Sequence, residues 1–300
     1  APHMERLGIV YVDTPQEADL VTWHATPYPD TLRWLTAHPE VPAIASTHGL
    51  YWSDYTWDKG SLSANGDVIE GLRLADAATA PTEWVANAIR RGISTPVMVV
   101  PHGVDAAEWA PMEPDESMYV LWDKTRVDPV CDPIPAIAAA RLLPNRQFVL
   151  CTAPEGLAVR NIEVTGRIPY EQASLLTRRA AVYLCVTRET FGLATLQAMA
   201  AGVPVAGYRF GGQVEIIRDE SDGGILVEPG DVTGLASAIE RAIRERETLG
   251  AAARRRAIED YPWERAARMY DALYRETVAT KRAQWAPETP RVSVLICNYN

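Results

Sequence analysis

Residues 187–217 read TRETFGLATLQAMAAGVPVAGYRFGGQVEII, and this stretch decides the fold more than any other part of the chain. Its pattern predicts a helix over 192–201, ended by a Gly-Val-Pro sequence, and then a short buried strand over 205–208. A second glycine-bearing loop, Gly211-Gly212, leads into another helical start. A helix, a buried strand and glycine turns in this order indicate a βαβ unit of a parallel sheet.

The two glycine loops aim backbone N–H groups at one helix N-terminus. This is a favourable position for an anion, because the first N–H groups of a helix have no helical partner and the helix dipole is positive there. Glu189 directly precedes this helix. A carboxylate beside a phosphate repels it, so we expect Glu189 to accept hydrogen bonds from hydroxyl groups. Phosphate with hydroxyls suggests a sugar nucleotide; the alternative is an ordinary βαβ unit with glycine at its turns.

The stretch resembles the nucleotide-sugar signature of retaining GT-B glycosyltransferases of family 4. In that family a Glu, seven residues and a second Glu surround the Phe-Gly and Glu-Ala-Met-Ala sequences, and a Gly-Gly loop follows. The resemblance implies that Glu189 contacts the hydroxyls of the donor sugar. It also implies that the nucleotide diphosphate lies against Phe191, Gly192, Leu193, Gly211 and Gly212.

One position departs from this signature, because the second Glu falls at Gln197. In the family this carboxylate binds the ribose. A charge-assisted bond contributes about 1.5–3 kcal/mol and a neutral one about 0.5–1.5 kcal/mol. We therefore expect Gln197 to contact the ribose with weaker or altered nucleotide preference.

Length and composition suggest two domains of an ordinary globular protein, since the chain has 300 residues. A net charge of -10 argues against generic nucleic-acid binding. No apolar run has the length of a transmembrane segment, and no signal peptide is recognised at the N-terminus. The cysteines Cys131, Cys151, Cys185 and Cys297 lack CxxC or metal spacing. Reduced cysteines fit the cytoplasmic location that we expect.

Short apolar runs alternate with amphipathic segments, which predicts parallel sheets covered by helices on both faces. Strands are predicted over 8–12, 18–23, 41–47, 97–100, 118–122, 147–152, 162–165, 182–186, 205–208 and 224–227. Helices are predicted over 32–36, 83–91, 134–143 and 170–177, with later helices around Ile239 and Leu273. The turn formers of 111–117 (PMEPDES) are predicted to form an interdomain linker.

The family resemblance extends over roughly residues 18–275 and implies an α/β fold of the GT-B type, with two Rossmann-like domains facing a cleft. We expect an N-terminal, acceptor-side domain over 1–112, a C-terminal nucleotide-sugar-binding domain over 113–275, and a closing segment over 276–300. The family's first strand and Gly-rich loop lie further upstream than this chain reaches. The N-terminal domain is therefore expected to be shortened and incomplete.

The last ten residues, RVSVLICNYN at 291–300, follow a proline-rich linker. They resemble the opening strand of a GT-A glycosyltransferase of family 2. This favours a longer, bifunctional transferase with a fused second domain. The alternative is a terminal strand or arm of the same fold.

Two cations follow the predicted strand 118–122, at the sheet edge where open α/β folds bind ligands. Stabilising the charge on a leaving diphosphate is the main demand of transfer from a sugar nucleotide, and Lys and Arg supply it. The resemblance implies that Arg126 is the family's Arg, whereas the family's Lys falls at Cys131. We expect Lys124 to supply the missing charge. The alternative is a solvated pair of surface cations.

The loop after strand 162–165 holds Arg167 and Ile168, which occupy the family's base-contacting position. The resemblance implies that they contact the nucleotide base. The alternative for Arg167 is an exposed loop cation.

Histidines end two strands of the first domain. The resemblance implies that His24 faces the donor sugar at the reacting centre. His48 is a second candidate, for acceptor binding. The alternative for both histidines is a structural role as a strand cap. His102, in a Pro-His-Gly turn, is expected to be structural. Aromatic residues and acids after His48 suit carbohydrate stacking, so Tyr51 and Trp52 are candidate acceptor residues, with packing of a loop as the alternative.

The sequence therefore predicts a retaining glycosyltransferase that moves a hexose from a nucleoside diphosphate sugar, such as a UDP or GDP sugar, to a hydroxyl-bearing acceptor. The family mechanism is front-face displacement, in which the leaving phosphate takes the acceptor proton. No metal site and no bound cofactor are expected, since no DxD motif stands in a suitable place. The main alternative is a non-catalytic sugar-nucleotide-binding or scaffolding half of a larger enzyme. A GT-B epimerase or phosphorylase is a further alternative.

Overall fold

The residues that the structure describes form two parallel sheets of six strands each. They are seen in a computed structural model that describes residues 2–50, 59–126, 128, 130–285 and 293–297. The chain packs as two units. The N-terminal unit is Ala1–His102 with Trp263–Asn300, and the central unit is Gly103–Pro262.

The strands of the N-terminal unit are short and fully parallel in their pairing. They are β1 (Val10–Tyr11), β2 (Leu20–His24), β3 (Ala43–Ser46), β4 (Ala77–Ala80) and β5 (Val97–Val99), with β12 (Ser293–Cys297) from the far end of the chain. Their order in the sheet is β1-β12-β2-β3-β4-β5. The helices of this unit are α1 (Pro2–Glu5), α2 (Pro29–Ala37), α3 (Lys59–Leu74), α4 (Glu83–Arg90) and α11 (Trp263–Trp285).

Side chains of the N-terminal sheet alternate between two cores, as the period of a strand requires. On β2, Val21 belongs to the core that includes helices α3 and α4, whereas Leu20 belongs to the core formed with α11. The last long helix covers the sheet with Leu273 and Val278, both buried. This apolar face explains why α11 packs in the N-terminal unit, while the sequence placed its first half in the C-terminal domain.

The central unit contains the signature stretch. Its strands are β6 (Val120–Trp122), β7 (Phe148–Leu150), β8 (Ile162–Val164), β9 (Val182–Cys185), β10 (Val205–Tyr208) and β11 (Gly224–Val227), in the order β11-β10-β9-β6-β7-β8. Its helices are α5 (Ile134–Leu142), α6 (Tyr170–Arg179), α7 (Leu193–Ala200), α8 (Gln213–Ile216), α9 (Val232–Arg244) and α10 (Arg246–Asp260). Buried clusters lie on both faces of this sheet.

Most predicted elements are confirmed, and the elements that were not predicted include α3 and β4 in the N-terminal unit and α10 in the central unit. Helix α3 contains Gly, Ser and Asn at many positions, which weakens both its helix propensity and its apolar pattern. Strand β4 reads AATA, which has little β propensity, yet all four residues are buried between β3 and β5. Here burial in the sheet overrides local preference.

The terminal segment is a strand of the N-terminal sheet. Its residues pair in parallel with both β1 and β2, with Leu295 opposite Val21. The expected opening of a GT-A domain has no support here, and the alternative of a terminal strand agrees with the observed pairing. An apolar run such as VSVLIC fits any buried parallel strand, so sequence pattern does not distinguish the two.

Candidate functional site

The central sheet has a switch point between β6 and β9. From β6 the chain proceeds outward to β7 and β8, then crosses back to β9 and proceeds in the opposite direction to β10 and β11. Open α/β sheets bind ligands outside the carboxyl ends of the strands at such a point. The residues that follow β6 and β9 are therefore the first candidates for a site.

Lys124 and Glu189 meet at this switch point. Lys124 lies two residues after β6 and Glu189 four residues after β9. The Lys124 Nζ atom lies 2.8 Å from Glu189 Oε1, and their side chains are 15% and 27% exposed. The two predicted site residues thus form a half-buried ion pair rather than a solvated surface contact.

The ion pair continues into the sheet through two further side chains. The Lys124 Nζ atom lies 3.5 Å from Asp123 Oδ1. The Tyr183 hydroxyl, on β9, donates a hydrogen bond of 2.6 Å to the same Asp123 oxygen. Sequence analysis did not identify either residue; an acid directly after a strand was the only available signal for Asp123.

The charge state of this chain of groups follows from burial and proximity. Burial disfavours the ammonium form, but the acidic groups Tyr183, Asp123 and Glu189 outweigh it and raise the pKa of Lys124 well above its usual value. Burial, followed by the charge of Asp123, raises the pKa of Tyr183 well above its usual value. Lys124 is thus a cation and Tyr183 a neutral hydrogen-bond donor at neutral pH.

The two glycine loops pack backbone against backbone beside this pair. The Gly212 N–H donates a hydrogen bond of 2.7 Å to the carbonyl of Glu189. A Cβ atom at Gly212 would lie 2.2 Å from the carbonyl oxygen of Thr190, and one at Gly211 would lie 2.5 Å from that of Glu189. Only glycine allows this approach. The Gly212 N–H is paired with Glu189, and the predicted role of the two loops in binding an anion stays a prediction.

Helix α7 begins at the same place. Gly192 precedes it with a φ angle of 103°, which glycine adopts without strain. The described residues supply no side-chain cap for α7, so its first N–H groups are available to an anion. Phe191 is buried against Tyr261, Leu193 is 40% exposed, and Gln197 is half-buried one turn along the helix.

Arg126 contacts two residues of its own loop. Its Nε atom lies 3.2 Å from Asp128, and its side chain is 69% exposed. Its guanidinium also donates to the sulfur of Cys131 at 3.5 Å. Burial raises the pKa of the Cys131 thiol, and neither a thiol nor a thiolate can supply the positive charge of the family's Lys. Arg167 is exposed and Ile168 half-buried in the loop after β8.

The histidine candidates lie in the N-terminal unit. His24 ends β2 and His48 follows β3, and their ring centroids are 6.3 Å apart. His102 joins them, with its ring 5.4 Å from that of His48. Burial, with smaller contributions from His48 and His24, lowers the pKa of His102 to about 4. Tyr51 and Trp52 lie outside the described residues.

Within the described ranges, no group of three or more His, Cys, Asp or Glu side chains could hold a metal ion. The described helices also include none that is both long and apolar enough to span a membrane. The described cysteines Cys131, Cys151 and Cys185 are buried free thiols.

Comparison with known families agrees with this division of the chain. Residues 13–108 match the family described as Glycosyltransferase Family 4, and residues 124–245 match the family described as Glycosyl transferases group 1. The second match begins at Lys124, just after β6, and contains β9, Glu189 and the Gly211-Gly212 loop. Neither match extends to the terminal strand β12.

Two curated relatives show the same similarity. A glycogen synthase of Mycobacterium tuberculosis is 25% identical over 298 residues, covering 87% of this chain and 70% of the relative. A D-inositol 3-phosphate glycosyltransferase of Salinispora arenicola is 27% identical over 246 residues, covering 68% of this chain and 54% of the relative.

Two solved structures share the fold. Sucrose-phosphate synthase of Thermosynechococcus elongatus superposes with a TM-score of 0.70 at 22% identity, covering 87% of this chain and 74% of that one. Anabaena Alr3699/HepE in complex with UDP and glucose gives 0.69 at 18% identity, covering 93% and 82%. The fold is therefore GT-B, with two Rossmann-like domains.

Proposed function

We propose that this chain, which is a glycosyltransferase of the GT-B fold, moves a hexose from a nucleoside diphosphate sugar to a hydroxyl acceptor with retention of configuration. The observation that carries the proposal is the Lys124–Glu189 ion pair, which lies beside the N-terminus of α7 at the switch point of the sheet. Neither residue alone specifies a sugar nucleotide. Together with the helix end they offer a cation, a carboxylate and backbone N–H donors in one place.

The diphosphate is assigned to the N-terminus of α7 and Lys124. Uncapped N–H groups and the positive end of the helix favour an anion, and the close loop packing at Gly211 and Gly212 leaves no side chain in its way. Charge builds on the diphosphate as the glycosidic bond breaks. A fixed ammonium ion in a half-buried position stabilises that charge more than one in water.

The donor sugar is assigned to Glu189, because a carboxylate accepts hydrogen bonds from hydroxyls with charge assistance. Lys124 shifts from Glu189 toward the diphosphate when the donor enters, and Glu189 then accepts the sugar hydroxyls. The leaving phosphate takes the acceptor proton in this mechanism, so the site requires no paired catalytic carboxylates.

The base of the nucleotide is assigned to the loop of Arg167 and Ile168, and the ribose to Gln197. A neutral amide at this position holds ribose hydroxyls less tightly than a carboxylate. UDP is the first nucleotide to test, since it is present in the structure of the similar Anabaena protein. His24 and His48 are proposed for the hexose and acceptor side. A cytoplasmic location stays a prediction from the reduced thiols.

A nucleotide panel tests the proposal. Thermal shifts are measured with UDP, GDP, ADP, dTDP and their common sugar conjugates, followed by donor hydrolysis for each one that binds. A nucleotide at about 100 times its dissociation constant adds roughly 2.7 kcal/mol of stability. A selective shift with slow sugar release supports a transferase. A shift without turnover favours the alternative of a binding or scaffolding half, and no shift with any nucleotide refutes the proposed site.

Substitution of Glu189 by Ala links the result to the site. We expect the loss of about 2–4 kcal/mol of transition-state binding, read from kcat/KM for donor hydrolysis. The matched control is Glu240→Ala, since Glu240 also pairs with a cation, Arg146, at 2.7 Å in the same unit, and neither of these two residues is a predicted site residue. Unchanged turnover in Glu189→Ala would remove this residue from the site.

A further inference from the structure

Lys124 has two carboxylate partners, and only one of them is assigned above. Its Nζ atom lies 2.8 Å from Glu189 and 3.5 Å from Asp123. If the donor sugar engages Glu189, as the proposed function requires, Lys124 loses its nearer partner in a half-buried position. A buried cation without a partner is costly, so the second carboxylate decides whether this exchange is feasible.

Asp123 is itself held in place by the sheet. Tyr183 is fully buried on β9, and its hydroxyl donates to Asp123 at 2.6 Å. The hydrogen bond joins β9 to the loop after β6, the two strands that form the switch point. A buried tyrosine has little rotational freedom, so it fixes the carboxylate that remains beside Lys124.

We propose that Asp123 and Tyr183 are positioning residues for the donor site: Tyr183 fixes Asp123, and Asp123 retains Lys124 at the sheet edge while Glu189 is released to bind the sugar. The inference rests on the proposed function, because it assigns Glu189 to the sugar. It predicts that Asp123 affects binding and transfer of the sugar more than binding of the nucleotide alone.

The acid–base behaviour of Lys124 provides a second readout. The titratable groups around it are Asp123, Tyr183, Glu189, Cys185 and Cys151. Removing the negative charge of Asp123 lowers the pKa of the ammonium group, since a nearby anion favours the charged form. The alkaline limb of the pH–rate profile therefore moves to lower pH in Asp123→Asn.

The experiment compares full-length variants Asp123→Asn, Asp123→Glu and Tyr183→Phe with Tyr119→Phe. The last is a matched control: Tyr119 is buried, and its hydroxyl donates a 2.6 Å hydrogen bond to the carbonyl of Leu176, at the amino end of β6. Calorimetry gives the affinities for UDP and UDP-glucose, or for the nucleotide that the panel selects and its sugar conjugate. Donor hydrolysis is followed from pH 6 to 10, and thermal unfolding is measured for each variant.

For Asp123→Asn we expect UDP affinity within about threefold of the parent, and UDP-glucose affinity and kcat lower by at least about tenfold. Tyr183→Phe should lower kcat by about three- to tenfold while its thermal stability falls as in Tyr119→Phe. Asp123→Glu should restore part of the activity. The changes in UDP-glucose affinity and kcat report on the sugar, and the thermal stability reports on the fold.

Two results would overturn the inference. Turnover in Asp123→Asn and Tyr183→Phe that equals turnover in Tyr119→Phe would show that neither residue positions Lys124. An equal loss of UDP and UDP-glucose affinity would show a purely structural role. In both cases Glu189→Ala distinguishes failure of this inference from failure of the proposed function, because its effect on turnover tests the proposed function without any change at Asp123 or Tyr183.

Discussion

The contact between the two glycine loops leaves no room for a side chain at Gly212, and substitution of Gly212 by Ala tests this. The φ angle of Gly212 is -73°, so alanine adopts this backbone conformation without strain. Any effect therefore comes from space. The added Cβ would lie 2.2 Å from the carbonyl oxygen and 2.6 Å from the carbonyl carbon of Thr190, and 2.9 Å from the Cα of Phe191.

All three of these atoms belong to the backbone, so no side-chain rotation relieves the clash. Carbon contacts are optimal near 3.5–4.0 Å, so the loops must separate by about 1 Å. Overpacking of this kind costs about 1–3 kcal/mol, and loss of the Gly212–Glu189 hydrogen bond adds about 0.5–1.5 kcal/mol. We expect the unfolding free energy to fall by about 2–4 kcal/mol. A displacement of about 1 Å at Glu189 also costs on the order of 100-fold in turnover.

Thermal unfolding and donor hydrolysis measure the two effects separately. Gly92→Ala is the matched control, because a Cβ at Gly92 meets no heavy atom within 4 Å and this glycine follows α4 in the other unit. Its stability should be unchanged or slightly higher, since alanine reduces the freedom of the unfolded chain. Stability and turnover in Gly212→Ala that match those of Gly92→Ala would refute the close packing of the two loops.

Three further substitutions test the charges and the fold. Lys124→Met should lower the unfolding free energy by about 2–3 kcal/mol, which is less than the cost of breaking a fully buried ion pair. It should also abolish measurable nucleotide affinity. The control is Lys281→Met, which breaks a comparable pair with Asp76 at 2.7 Å and should lower stability without affecting nucleotide affinity. Burial lowers the pKa of His102 to about 4 in the folded protein, whereas its usual value is about 6.5. As the pH falls from 6.5 toward 4 the unfolded state therefore binds a proton that the folded state does not, and the unfolding free energy falls by up to about 3 kcal/mol. His102→Gln should flatten this pH dependence of thermal unfolding, and an unchanged slope would contradict it. Thr82→Ala removes the α4 cap, whose oxygen accepts from the N–H of Val85, and should cost about 1 kcal/mol in chemical denaturation.

The signature stretch could be interpreted from sequence because its information is local. Gly192 and the Gly211-Gly212 pair mark turns that only glycine permits, and the apolar periodicity between them defines α7 and β10. Glu189 could be placed beside the helix N-terminus because it is only a few residues away in the chain. These features require no knowledge of which strands are neighbours.

Local patterns were less informative where tertiary packing determines the structure. Helix α3 and strand β4 carry weak propensities, and burial against the sheet stabilises them. Strand β12 has a run of apolar residues that suits any parallel sheet, and its place between β1 and β2 depends on contacts with residues almost the whole chain away.

Sequence alone was enough to predict the α/β class, the glycine loops, the helix end at which we propose that an anion binds, and the chemical types available at the site. The contact of Lys124 with Glu189, its second contact with Asp123, and the hydrogen bond from Tyr183 to Asp123 could be seen in the folded protein alone. The physical reason is the order of the strands. Neighbouring strands in a parallel sheet are separated by crossover segments, so the side chains that meet at their carboxyl ends are distant in sequence and their pairing is set by the packing of the whole sheet.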